Sequence, residues 1–290
     1  MTPQDVELPA DHASEQTPGR VPRVIRAAFA AIMFLTRIPV PRWVGHDPDL
    51  LAGSTTFFPV VGLIVGLLGA SVYRAAALLW PTMVAVTLAV AAIVWITGAF
   101  HEDALADACD GFGGGWERDQ VLAIMKDSRV GSYGAVGVTL GIVARIVALV
   151  AIADAGGPSA AARALLVAHV LARWSSLPLI FAYPYVRETA SKGRPFASSV
   201  TPTRLVIGTA LALGIALAVV DVAALPVFGV AILVTALGGQ YFRRRLGGIT
   251  GDCLGAANQM VELACYLALG LHGAALAQHH GIISGLWPLR

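Results

Sequence analysis

The sequence predicts an all-α, polytopic membrane bundle, and three observations carry that expectation. Of its 290 residues, 57% are hydrophobic and only 13% charged, about half the charge usual in a soluble domain. Mean hydropathy is +0.72. Seven apolar stretches, near 55–73, 82–100, 131–153, 159–183, 202–220, 223–241 and 253–276, each approach the roughly 20 residues that about 30 Å of hydrocarbon requires. With those stretches assigned there is no room for a separate water-soluble core, so residues 23–290 read as one transmembrane domain.

The first twenty residues are polar and partly acidic, and they lack the basic start, apolar middle and cleavage site of a signal peptide. Residues 1–22 therefore read as a disordered cytoplasmic tail. Between Arg26 and Arg37 about ten apolar residues are too few to cross a bilayer, which predicts an interfacial or re-entrant helix. The loops 101–130, 184–201 and 242–252 hold nine basic residues, whereas 74–81, 154–158 and 221–222 hold Arg74 alone. The positive-inside rule puts the three basic loops and the tail in the cytoplasm of a multi-pass cell (inner) membrane protein, with the C-terminus outside.

A net charge of +2 without a basic face argues against nucleic acid as a partner. Cys109, Cys253 and Cys265 have neither zinc-type spacing nor a Cys-x-x-Cys pair, so no disulfide framework or zinc site is implied.

The chemistry begins where the second span ends, in His101-Glu-Asp-Ala-Leu-Ala-Asp-Ala-Cys-Asp-Gly111. At 100° per residue Asp103, Asp107 and Asp110 fall on one helical stripe about 60° wide. Carboxylates about 5–6 Å apart repel by about 3 kcal/mol at an effective dielectric near 20, which calls for a positive partner. An all-oxygen donor set suits a hard cation such as Mg2+, Mn2+ or Ca2+ and disfavours zinc. The alternative is a solvated helix end, against which the small apolar residues Ala104, Leu105, Ala106 and Ala108 argue.

Gly111 and Gly113–Gly115 read as a flexible turn, and Arg118, Lys126 and Arg129 follow as phosphate partners or positive-inside anchors. A second polar cluster, Arg243 to Asn258, brings Asp252 into the last span among Gly247, Gly248, Gly251 and Gly255. Asp252 reads either as a partner of the helix dipole or as a neighbour of the first aspartates.

These residues, with Phe34-Leu-Thr-Arg-Ile-Pro39, Phe58-Pro-Val-Val-Gly62, Ile124-Met-Lys-Asp-Ser-Arg129, Gly131-Ser-Tyr-Gly134 and Gly248-Ile-Thr-Gly-Asp252, resemble the cobalamin synthase (adenosylcobinamide-GDP ribazoletransferase) family of integral membrane enzymes over about 24–270. The family pattern is similar to His-x-Asp-Gly-x-Ala-Asp-x-x-Asp-Gly. This chain departs from it with Ala104 in place of Gly and Glu102 where an apolar residue is common.

The resemblance implies a transferase of coenzyme B12 assembly. Alpha-ribazole or its 5'-phosphate attacks the phosphate of adenosylcobinamide-GDP, and GMP leaves. It implies Mg2+, with Mn2+ as substitute, on Asp103, Asp107 and Asp110, with Asp110 a ligand or general base. Asp252 becomes a second-cluster ligand or substrate contact, and Arg129, with Lys126 as alternate, a phosphate clamp.

Inside the spans, Arg145 and His169 read as structural pairs, whereas Arg173 divides equally between pairing and a substrate cavity. Arg194, with Arg187 and Lys192, reads as an anion contact or a solvated loop. Trp80, Trp95, Trp116 and Trp287 read as interfacial anchors. A CDP-alcohol-type phosphotransferase and a cation or metabolite transporter remain as rivals, and a homo-oligomer is compatible with the sequence.

Overall fold

The computed structural model describes residues 21–45, 47–186 and 199–285, with side chains as far as residue 271. The tail expected over 1–22 falls almost wholly outside them, as do Arg187, Lys192, Arg194 and Trp287. The chain forms helices α1 (Arg23–Leu35), α2 (Pro48–Ser54), α3 (Phe58–Ala76), α4 (Thr82–Thr97), α5 (Phe100–Gly114) and α6 (Arg118–Ile124), followed by α7 (Ser132–Trp174), α8 (Ser176–Ala182), α9 (Pro202–Val220), α10 (Ala224–Leu246) and α11 (Gly251–Gly285). Among the described residues the only β pairing is a single parallel bridge between Tyr185 and Ile249.

Local chemistry sets the helix ends. Asp47 Oδ1 accepts from Asp49 N at 2.9 Å and Thr201 Oγ1 from Arg204 N at 3.3 Å, each before a proline at the start of its helix. Gly98 and Gly247 stop α4 and α10 in the left-handed region.

By length and composition four segments are apolar enough to cross a membrane: Pro48–Ala76, Ser132–Ala182, Pro202–Leu246 and Gly251–Leu271. A fifth is the pair α4 and α5 taken together. This is not the expected count of seven, because two of the segments are each long enough for two crossings and fold back on themselves.

In α7 the backbone leaves helical geometry at Gly157 (φ 73°, ψ 178°), just before Pro158. Arg145 Nη1 lies 3.4 Å from Glu262 Oε1 and His169 Nδ1 lies 3.4 Å from Glu262 Oε2. A straight helix would separate residues 145 and 169 by about 36 Å, so the arms 132–156 and 158–174 form an antiparallel hairpin. Likewise Trp174 donates to Thr209 Oγ1 at 3.0 Å while its ring lies 4.7 Å from that of Phe228. That contact is possible only if α9 and α10 fold back at Asp221, where φ is 51°.

Glycines let α3 approach α7. A Cβ at Gly62 would fall on the backbone carbonyl of His169, and one at Gly66 would come 2.9 Å from that of Leu165. The expected N-terminal helix forms as α1 and is not among the segments long enough to cross. Ala27 and Ala30 pack on Val44 and Leu50, and Phe34 stacks on Phe58 at 6.2 Å and meets Phe100 edge-on at 5.4 Å.

The aspartate segment forms the helix its stripe predicts, but within the bundle and not as part of a connection beyond the second span: it turns 88° from α4 at two consecutive left-handed residues, Gly98 and Ala99. Arg145, which faces α5, is 12 residues from Gly157, about 18 Å along the arm and near its midpoint. Consequently α5 starts at half depth and climbs alongside the first arm of α7 to the end of the bundle that carries Gly131, called the charged end below.

The α3–α7 contact is testable. Gly62→Ala should lower the stability of the detergent-solubilised protein by about 1–3 kcal/mol. Gly214→Ala, whose Cβ meets nothing within 4 Å, should leave the unfolding midpoint unchanged or slightly raised.

Candidate active site

The register of α5 against α7 is antiparallel. Glu102 meets Arg145 at 3.1 Å, Leu105 lies on Gly141, Cys109 on Gly137, Asp110 on Gly131 and Gly134, and Gly113 on the Tyr133 ring. The Asp110 carboxylate accepts from Gly131 N at 2.7 Å through Oδ2 and from Gly134 N at 2.8 Å through Oδ1. These are amide groups at the start of α7, where the helix dipole favours an anion. Asp110 thus caps a helix 21 residues further along the chain. A side chain at either glycine would strike this carboxylate.

The three aspartates differ accordingly: Asp103 is exposed, Asp107 half-buried and Asp110 buried. Among the described residues no three His, Cys, Asp or Glu side chains are gathered closely enough to hold a metal ion. The expected three-acid ligand set is therefore not assembled, because Asp110 turns to the α7 amides. Asp103 and Asp107 remain one turn apart on α5. Two carboxylates fit a hard cation such as Mg2+, which takes its other oxygens from substrate and water. Asp103 lies beside Glu102 at half depth, so only the upper part of the stripe is at the charged end.

On its other side α5 packs against α11. Gly255 faces Ala104 and His101, and Gln259 Nε2 donates to Glu102 Oε1 at 3.3 Å. Continuing this antiparallel register brings Asp252, which is half-buried, level with residues 107–108, so the two polar clusters converge. The cap of α11 is Thr250, whose Oγ1 accepts from Cys253 N at 3.2 Å.

The basic residues divide between structure and open surface. Arg118 Nε donates to Leu246 O at 2.9 Å and so caps α10. Arg245 Nη2 donates to Gly115 O at 2.7 Å, with its guanidinium over the rings of Phe112 and Tyr241. Lys126, Arg243 and Arg244 are exposed. Arg129 is exposed too, and its Nη2 bonds Asp127 Oδ2 at 2.6 Å.

The hydrogen bonds from Arg129 hold the Asp127 carboxyl down at about 2. Because that value is depressed, the pair is intact above the ordinary carboxylate range and is lost as pH falls through about 2. Arg173 is buried, donating to His169 Nδ1 at 2.7 Å with its Nη1 3.7 Å from Glu262 Oε2. Of its two readings, the structure shows the pairing.

Two further expectations change. Gly111, Gly113 and Gly114 are helical and do not form a flexible turn. Gly111 and Gly113 are small because Met125 and Tyr133 press on them, just as Val121 presses on Gly115. Sequence reasoning also missed Glu262, Gln259 and Tyr266. An acid inside an apolar span was the available signal for Glu262.

Asp110→Asn leaves only one acceptor oxygen for two amides. It should destabilise the protein by about 1–3 kcal/mol, and Gly134→Ala should act in the same direction. Both are read from the unfolding midpoint in detergent, and an unchanged midpoint in both would rule out the cap.

A family model described as Cobalamin-5-phosphate synthase matches residues 27–270. An adenosylcobinamide-GDP ribazoletransferase from Shewanella frigidimarina is 44% identical over 248 residues, covering 85% of this chain and 95% of that protein. One of the same name from Leptothrix cholodnii is 42% identical over 252 residues, covering 83% and 94%. No solved structure matches. With the aspartate helix, the Asp110 cap of α7 and the second polar cluster all inside the matched region, the chain belongs to the cobalamin-5-phosphate synthase family.

Proposed function

We propose that this chain joins adenosylcobinamide-GDP to alpha-ribazole, or to its 5'-phosphate, with release of GMP. The observation that carries the chemistry is α5, a helix that presents Asp103 exposed at half depth and Asp107 one turn above it, beneath a rim of exposed Lys126, Arg129, Arg243 and Arg244. Family membership gives the substrate class. The ribose hydroxyl attacks the cobinamide-bearing phosphorus, that phosphorus–oxygen bond to GMP breaks, and the hydroxyl proton passes to a base.

Mg2+, or Mn2+ in its place, held by Asp103 and Asp107 would offset the pyrophosphate charge and stabilise the leaving GMP. Arg129 would exchange its exposed bond to Asp127 for a phosphoryl oxygen, which a planar fork pairs well. Lys126 stands beside it as a point charge, and Asp252 approaches from α11. Arg194 lies outside the described residues and is proposed as a further anion contact from the sequence alone.

In the same reading the chain crosses the inner membrane seven times, with α1 at the interface and the charged end in the cytoplasm, where the basic loops belong. The 88° break between α4 and α5 is a feature that carriers also use at their binding sites. GMP release measured against cation flux in proteoliposomes separates enzyme from carrier. A CDP-alcohol enzyme is disfavoured because Ala-Cys, not Ala-Arg, follows Asp107.

Asp103→Asn and Asp107→Asn should each reach the membrane in normal amount and lose magnesium-dependent GMP release by at least about 100-fold, of the order seen when one charge-stabilising group is removed. Normal turnover in both variants would refute the assignment.

A further inference from the structure

We propose that Glu102, Arg145 and Glu262 are positioning residues: the buried Arg145 fork, bridging two carboxylates on two different helices, sets the depth and rotation of α5. This rests on the reading of α5 as the helix that performs phosphoryl transfer. Arg145 Nη2 lies 3.1 Å from Glu102 Oε1 on α5, and Nη1 lies 3.4 Å from Glu262 Oε1 on α11. One planar side chain from α7 therefore ties the other two helices together.

Each acid is held a second time through the same oxygen. Gln259 Nε2 donates to Glu102 Oε1 at 3.3 Å, and Tyr266 OH donates to Glu262 Oε1 at 3.2 Å. On the far side of Glu262, Arg173 Nη1 lies 3.7 Å and His169 Nδ1 3.4 Å from Oε2. All of these side chains are buried. Two arginines and two glutamates balance, so the cluster is neutral as a unit.

The placement of this tie along α5 is what gives it a role beyond stability. Glu102 immediately precedes Asp103, and Asp110, the trans cap of α7, follows Asp107 by less than a turn. The two attachments are eight residues apart, about 12 Å, and Asp103 and Asp107 lie between them. A helix pinned at both ends cannot slide or turn between them. A one-residue slip would move the carboxylates by about 1.5 Å and rotate them by about 100°, enough to misplace groups that must meet a phosphate.

Neutrality alone would not do this, since a lysine at 145 would balance the same charge. A lysine is a point donor without the rigid fork that reaches two carboxylates in fixed directions.

Two variants keep the charge sum at zero while removing the bridge: Arg145→Lys and the double variant Glu102→Gln/Arg145→Gln. Both should accumulate in the membrane near the wild-type amount, with kcat for GMP release at least tenfold lower and KM for both substrates within twofold. Maleimide labelling of Cys109, half-buried against Gly137, reports the α5–α7 register without any turnover and should speed up several-fold in both.

Wild-type kcat with unchanged Cys109 labelling in either variant would overturn the proposal. So would failure of both proteins to accumulate, which would make the tie a requirement of folding only. If Asp103→Asn retained full turnover while the two variants still exposed Cys109, the metal reading would fail and the register role would stand.

Discussion

A helix rich in acids can run through the middle of an apolar bundle only if its charges and backbone ends find partners there, and most of this structure follows from how α5 meets that requirement. Its lower carboxylate, Glu102, enters a neutral cluster with Arg145, Glu262 and Arg173. Its upper one, Asp110, takes the amides that begin α7. The hairpin in α7 follows from the same cluster, because Arg145 and His169 can both reach Glu262 only if the chain reverses at Gly157. Alanines at 104, 106 and 108 and glycines on the facing helices then let α5 lie close to both neighbours.

The helical layout was legible because it depends on local composition: apolar runs, prolines at helix starts and glycines at helix ends. The stripe of Asp103, Asp107 and Asp110 was legible for a similar reason, since a 3.6-residue period can be read along the chain. The roles within the stripe were not. Asp110 answers to Gly131 and Gly134, 21 and 24 residues away, and nothing local separates it from Asp103.

Long-range pairing explains the other departures. Glu262 reaches Arg145 across 117 residues, so Glu102 read as an oddity of the motif and not as half of an ion pair. Ala99 takes a left-handed conformation that non-glycine residues seldom adopt, so the 88° turn had no composition cue beyond Gly98. Glycines at 111, 113, 131 and 134 are equally at home in a turn and in a tight contact, and only the packing of Met125, Tyr133 and Asp110 against them decides.

This division of labour suits an enzyme that must bring a large anionic substrate to a membrane. Charges with structural duties, Arg118, Arg145, Arg173 and Arg245, are engaged with carbonyls, carboxylates or rings, while Lys126, Arg129, Arg243 and Arg244 stay at the open rim. The most direct test is to incubate the purified protein in liposomes with adenosylcobinamide-GDP and alpha-ribazole and to weigh the products. The account predicts one GMP released per coupled cobalamin product, and no release when either substrate is omitted. GMP release without coupling, or no new phosphodiester at all, would contradict it.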